Sequence, residues 1–120
     1  MSEPGNLAYP GEFDVLRTKA ESGVWNAGTL VVTNYRVMWT PSRFSKGIGF
    51  AFDLDQVESV RLVRTLTYAF LVPSVRFRLK NGVVYEVGRM QEDPHRVRHV
   101  VEDYRRRERY RPGSLFGEGS

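Results

Sequence analysis

The chain reads as a mainly β domain: about seven short antiparallel strands, then one C-terminal α-helix, folded as a barrel or sandwich. Three observations carry this reading. Short runs of alternating apolar and polar residues recur between Phe13 and Val87. An Asn81-Gly82 pair stands between two such runs and marks a hairpin. Only the stretch after Asp93 has a helical period with a capping residue at its start.

The first strand runs from Phe13 to Lys19, with Phe13, Val15 and Arg17 on one face. Gly28 to Thr33 is β-branched and forms the second, with Leu30 and Val32 alternating against Thr29, Val31 and Thr33. Asn34 supplies a turn or bulge before the third strand, Tyr35 to Thr40, which Pro41 ends. A loop rich in Ser, Gly and Pro follows. The fourth strand, Ile48 to Leu54, turns Ile48, Phe50, Phe52 and Leu54 inward. Val57 to Arg64 is the fifth. Thr65 to Val72 is apolar without a clear period, and reads as a loop or as a continuation of the fifth strand ending at Pro73. Val75 to Lys80 and Val83 to Val87 flank Asn81-Gly82, for which a type I′ turn with positive φ at both residues is expected.

In the last element Asp93 is the N-cap and Pro94 occupies the first helical position. Val97, Val100, Val101 and Tyr104 form one apolar stripe. Arg105 to Arg107 sit at the C-terminal end, where positive charge suits the helix dipole. Seven short strands leave two edges and an apolar face to protect, and one amphipathic helix is the right width to plug such a sheet. No parallel βαβ unit is present.

The 120 residues fit one domain, expected over 11–110, between a flexible lead-in at 1–10 and a flexible tail at 111–120. At 41% hydrophobic the chain can bury a core. The absence of cysteine excludes disulfides, thiolate metal sites and cysteine nucleophiles. No signal peptide or bilayer-length apolar run is read, which makes a cytoplasmic protein, soluble or membrane-peripheral, the expectation. The formal charge of +4 makes an anionic partner plausible, although such a value is also ordinary for solubility.

The run Gly28-Thr29-Leu30-Val31-Val32-Thr33-Asn34-Tyr35-Arg36-Val37-Met38-Trp39 resembles the G-x-L-x-x-T-N-x-R-h-x-[FW] signature (h apolar) of GRAM and related PH-like domains. Similar runs occur in myotubularin PH-GRAM domains, GLUE domains and the PH-like repeats of a Bardet–Biedl syndrome protein. Gly11-Glu12 resembles the G-E-x-h start of a GRAM domain, and Ile48 to Val60 is similar to the stretch that ends in an h-x-x-I-x-x-h strand. The likeness spans about residues 11–108. It implies a PH-like, bent seven-stranded antiparallel barrel capped by one C-terminal helix. It implies phosphoinositide or protein binding for some members, and no catalysis. The K-x(n)-[KR]-x-R pattern of many lipid-binding PH domains is not reproduced, because Arg17 and Lys19 are followed by no base until Arg36.

Candidate binding residues are Arg36, Arg43, Lys46, Arg61, Arg76, Arg78 and Lys80. Arg76, Arg78 and Lys80 alternate along one strand, with Arg61 expected beside them; guanidinium forks match phosphate oxygens, but such a stripe also suits a solvated, guarded sheet face. Arg43 and Lys46 flank Phe44 in a loop, the usual setting for a lipid or partner contact. Arg36 is either a ligand contact or the partner of a carboxylate on a neighbouring strand, with Thr33 and Asn34 shaping a turn. His95 and His99 are one helical turn apart but have no thiolate company, so no metal is expected. No nucleophile elbow or phosphate loop occurs, and no cofactor is expected. The basic run Arg105 to Arg111 lacks the aromatic platforms of single-strand binders, which disfavours nucleic acid. The expected activity is a non-enzymatic binding module that contacts a protein partner or an anionic, phosphoinositide-type membrane surface. The alternative is a scaffold or homo-oligomerisation protein without lipid binding.

Overall fold

The computed structural model describes residues 9–22, 26–43, 47–67 and 70–108. Seven strands form one antiparallel sheet: β1 (Asp14–Glu21), β2 (Ala27–Thr33), β3 (Arg36–Pro41), β4 (Phe50–Asp53), β5 (Val57–Thr67), β6 (Phe70–Leu79) and β7 (Val84–Gly88). A 3-10 turn, Leu54–Gln56, joins β4 to β5, and helix α1 (Pro94–Glu108) follows β7. The sheet order is β4-β3-β2-β1-β7-β6-β5, so β4 and β5 are its two edges. The mainly β class with one C-terminal helix is thus as the alternation implied.

The strands wrap one core. Leu30, Val32, Val37, Trp39, Phe52, Val60, Val75, Phe77 and Val87 are buried together with Val97 and Val101 of the helix. Period-2 alternation puts these residues on the concave side. Gly28 lies against Trp39 and Thr40 on β3, where a Cβ would collide with the backbone. The two edge strands do not pair, and aromatic rings bridge the interior between the halves. Phe50 stacks on Tyr85 with centroids 4.0 Å apart, and Phe52 lies 5.3 Å from Phe77 and 5.6 Å from Tyr85.

The helix stoppers this curl. Asp93 Oδ1 accepts from the His95 N–H at 2.9 Å, which satisfies an otherwise orphaned first-turn donor. Val97 and Val101 are fully buried, and Val100 and Tyr104 pack beside them. The polar side of the helix also works on the sheet. Arg98 Nε donates to the Val60 carbonyl at 3.2 Å, and Arg105 Nη1 to that of Val57 at 3.1 Å. These bonds cap acceptors of β5, the edge strand, which would otherwise invite another strand.

Four local expectations change. The buried face of β1 is Leu16, Thr18 and Ala20, while Phe13 is exposed. The register shifts between Asp14 and Leu16, so the apolar pair Phe13 and Val15 marks an irregularity and not the core side. Ile48 precedes β4 and is 87% exposed, not inward. The β6–β7 hairpin forms, but Gly82 alone has positive φ (+91°), and Asn81 does not. The Gly82 N–H donates to the Leu79 carbonyl and the Leu79 N–H to that of Val83, so Lys80-Asn81-Gly82 is a three-residue loop ending on a left-handed glycine. Lastly, residues 65–67 continue β5, and 70–73 open β6, with Pro73 inside the strand opposite Arg64. β7 reaches only Ser74, so Pro73 lies where β6 has an open side and the missing N–H interrupts no β7 ladder.

Candidate binding face

The expected basic residues separate into three groups. Arg43 is exposed in the loop after β3, and Lys46 lies outside the described residues.

Arg36 is at the other extreme: it is 7% exposed. Its Nε donates to Glu12 Oε2 at 2.9 Å and its Nη2 to Glu12 Oε1 at 3.1 Å, a forked ion pair. Thr33 Oγ1 donates to the same carboxylate at 2.6 Å, and the guanidinium lies 4.5 Å over the Tyr9 ring. Asn34 bonds both ways to the incoming chain, accepting from the Phe13 N–H and donating to the Gly11 carbonyl. Burial by itself would raise the Glu12 pKa, but donors from Arg36, Thr33 and the Tyr9 N–H outweigh it and hold the group below its ordinary value. The bond to Glu12 correspondingly raises Arg36. The Thr-Asn-x-Arg run therefore clamps the segment entering β1, and Arg36 stands apart from the exposed bases.

The third group lies on the outer side of β5 and β6. Register pairs Arg61 with Arg76 and Ser59 with Arg78, so all three arginines share one face, opposite the buried Val60, Val75 and Phe77. Arg61 and Arg78 are diagonal neighbours, about 7–8 Å apart at Cα for such a pair. Lys80 is exposed at the hairpin end of β6. Arg76 differs from them: it pairs with Glu86 of β7 at 2.6 Å, and Thr65 Oγ1 donates to the same carboxylate at 2.8 Å. Burial pushes the Glu86 carboxyl up, but Thr65 and Arg76 overcome this and keep it ionised below its usual range. Arg61, Arg78 and Lys80 form no ion pair among the described residues.

Neighbouring features sharpen the picture. A cavity of about 330 Å³ lies beside the face, lined by Glu21, Glu86 and Arg89 among others. Its two carboxylates make it a poor seat for an anion. Two of the helix arginines are engaged: Arg105 binds Glu102 and β5 carbonyls, and Arg107 pairs with Asp103 at 3.0 Å. His95 and His99 are exposed, and among the described residues no group of three or more His, Cys, Asp or Glu is placed to hold a metal.

No protein-family model matches the chain, and no curated protein does. Solved structures do. The C-terminal domain of an unknown protein from Leishmania infantum superposes with a TM-score of 0.63 at 8% identity, over 79% of this chain and 86% of that one. The Vps36 N-terminal PH domain superposes with a TM-score of 0.63 at 14% identity, over 88% of this chain and 87% of its own. The fold is PH-like. Identities this low carry the architecture and nothing about a ligand. Sequence reasoning paired Arg61 with Arg76 and Arg78 on the PH-like sheet. It missed Glu86 and Glu12 as the carboxylates that take up Arg76 and Arg36. Glu12 lies 24 residues before Arg36, and the only trace of their meeting in the sequence was the Gly-Glu start of the domain.

Proposed function

We propose that the chain is a non-catalytic PH-like binding module that holds an anionic membrane surface with the outer face of the β5–β6 hairpin, at the cytoplasmic side of a membrane. The observation that carries this reading is the set Arg61 and Arg78 on the β5–β6 hairpin with Lys80 in the turn just past β6, all exposed and without a carboxylate partner among the described residues. Two guanidinium forks on diagonal positions suit clustered phosphate oxygens. Arg76, neutralised by Glu86, orders the middle of the face. The charge is concentrated there too. Residues 57–80 hold five bases against the single acid Glu58, and with Arg76 taken up by Glu86 three positive charges remain in excess. An acidic protein surface would satisfy the same chemistry and is the competing partner.

Vesicle flotation tests the reading. The chain is expected to float with phosphatidylcholine–phosphatidylserine vesicles and not with phosphatidylcholine alone. Arg61→Glu/Arg78→Glu is expected to weaken this by at least about tenfold, since each reversal turns roughly 1 kcal/mol of surface attraction into repulsion. An unchanged melting temperature would show that the fold survives. Equal flotation of the variant and the parent chain would remove the hairpin face from the account.

A further inference from the structure

The hairpin outruns the rest of the sheet. β5 and β6 stay paired from Arg61–Arg76 out to Thr67–Phe70, while β7 stops at Ser74. From Phe70 to Pro73, β6 pairs with β5 alone; Val72 stays buried in a cavity it shares with Glu21 and Ser22, and Pro73 lies in one with Pro94 and His95, so the part that stands clear of the body begins at Leu71. The projecting part is apolar and exposed: Leu66 is 68% accessible, Phe70 68% and Leu71 62%. Leu66 and Leu71 are a cross-strand pair on one side, and Phe70, next along the strand, points to the other. Arg64, opposite Pro73, lies two residues back from Leu66 on the Leu66–Leu71 side, about 7 Å nearer the body.

We infer that this arm is a membrane-interface probe: Leu66, Phe70 and Leu71 enter the headgroup–acyl boundary of an anionic bilayer, with Arg64 held at headgroup level. The inference rests on the binding reading above and adds to it where the chain enters the lipid. Phe70 and Leu71 span about 7 Å of strand, which matches the 5–10 Å depth at which interfacial segments sit. Apolar side chains on both sides of a two-stranded arm suit a medium that surrounds them, whereas a protein pocket would cover one side. A second copy is opposed by charge, because each hairpin presents Arg61, Arg64 and Arg78 without carboxylate partners among the described residues. Strand addition is opposed on the β6 side by Pro73, which offers no N–H. The arm and the Arg61–Arg78 face belong to the same hairpin, so an anionic surface lying along its strands would meet both.

The chain has no cysteine, so Leu71→Cys gives a single thiol for an environment-sensitive NBD label, with Ile48→Cys as the control at an exposed residue before β4. With mixed phosphatidylcholine–phosphatidylserine vesicles, the label at 71 is expected to shift to the blue and resist an aqueous quencher, while the label at 48 does neither. Leu66→Ser/Phe70→Ser/Leu71→Ser is expected to lower vesicle partitioning at least about tenfold, given the apolar area withdrawn from lipid. These side chains are exposed, so the melting temperature should hold. Flotation with no blue shift at 71 overturns the inference and leaves the binding reading standing. No flotation with any vesicle overturns both. A blue shift without lipid that grows with protein concentration would assign the arm to self-association and overturn the inference as well.

Discussion

Glu12 and Arg36 show how a single contact sets a residue's role. The pair is buried and forked, and Thr33 and the Tyr9 N–H complete the carboxylate's hydrogen bonds. Removing one partner leaves a buried charge without compensation, a loss of about 3 kcal/mol. Glu12→Gln should therefore lower the melting temperature at neutral pH by many degrees, as read by calorimetry. The pH dependence follows from the direction of the Glu12 shift. Its folded pKa lies below the ordinary value of 4.5. Its contribution is complete above that value and is lost as pH falls through the lower, folded one. Acid titration of stability should thus be steeper in the parent chain than in Glu12→Gln over the range below about pH 4.5. The sequence displayed Arg36 plainly within Thr-Asn-x-Arg, and pairing with a carboxylate was one of its two readings. Which carboxylate it met depends on a contact between distant segments, and no local pattern encodes that.

At the level of elements, the legible parts are those with one buried face. β2, β3, β6 and β7 alternate because one side meets the core, and the helix shows its stripe because Val97 and Val101 fill the end of the curl. Residues 65–72 showed no period for a physical reason: Val72 is buried while Leu66, Phe70 and Leu71 farther out are exposed on both sides, so no single face of this stretch meets the core. β1 misled because its irregular register lies at Val15, and a shift of one residue exchanges the two faces of a strand. Two variants probe the elements. Asp93→Ala removes the acceptor for the His95 N–H and should cost about 1 kcal/mol, a fall of roughly 4–8 °C in melting temperature for a domain this size. Phe52→Ala opens the aromatic bridge between β4 and the Phe77–Tyr85 side and should cost about 3–5 kcal/mol by denaturant titration. A loss below 1 kcal/mol there would mean that something else holds the two halves of the sheet together.

On the scale of the whole molecule, charge is unevenly spread, and that asymmetry gives the proposed function its direction. Acids neutralise bases in the clamp at Arg36, in the middle of the hairpin at Arg76 and along the helix at Arg105 and Arg107. Arg61, Arg64 and Arg78 of the β5–β6 hairpin, with Lys80 just past it, are exposed bases that form no ion pair within the described residues. The fold could be argued from alternation and caps, but this sorting of bases could not, because it depends on which carboxylate each base meets after folding. A surface held by exposed charge should be sensitive to salt. Vesicle binding should fall steeply as the screening length shrinks from about 10 Å at 0.1 M to about 3 Å at 1 M. A salt-independent affinity would point to apolar contact alone. The most direct measurement is an NMR titration of the isotopically labelled chain with anionic lipid nanodiscs. The amide signals of Arg61, Arg64, Leu66 and Arg78 should broaden first, with those of Arg36 and Asp53 unaffected. Broadening confined to the β3–β4 side, with the hairpin signals unmoved, would contradict the account.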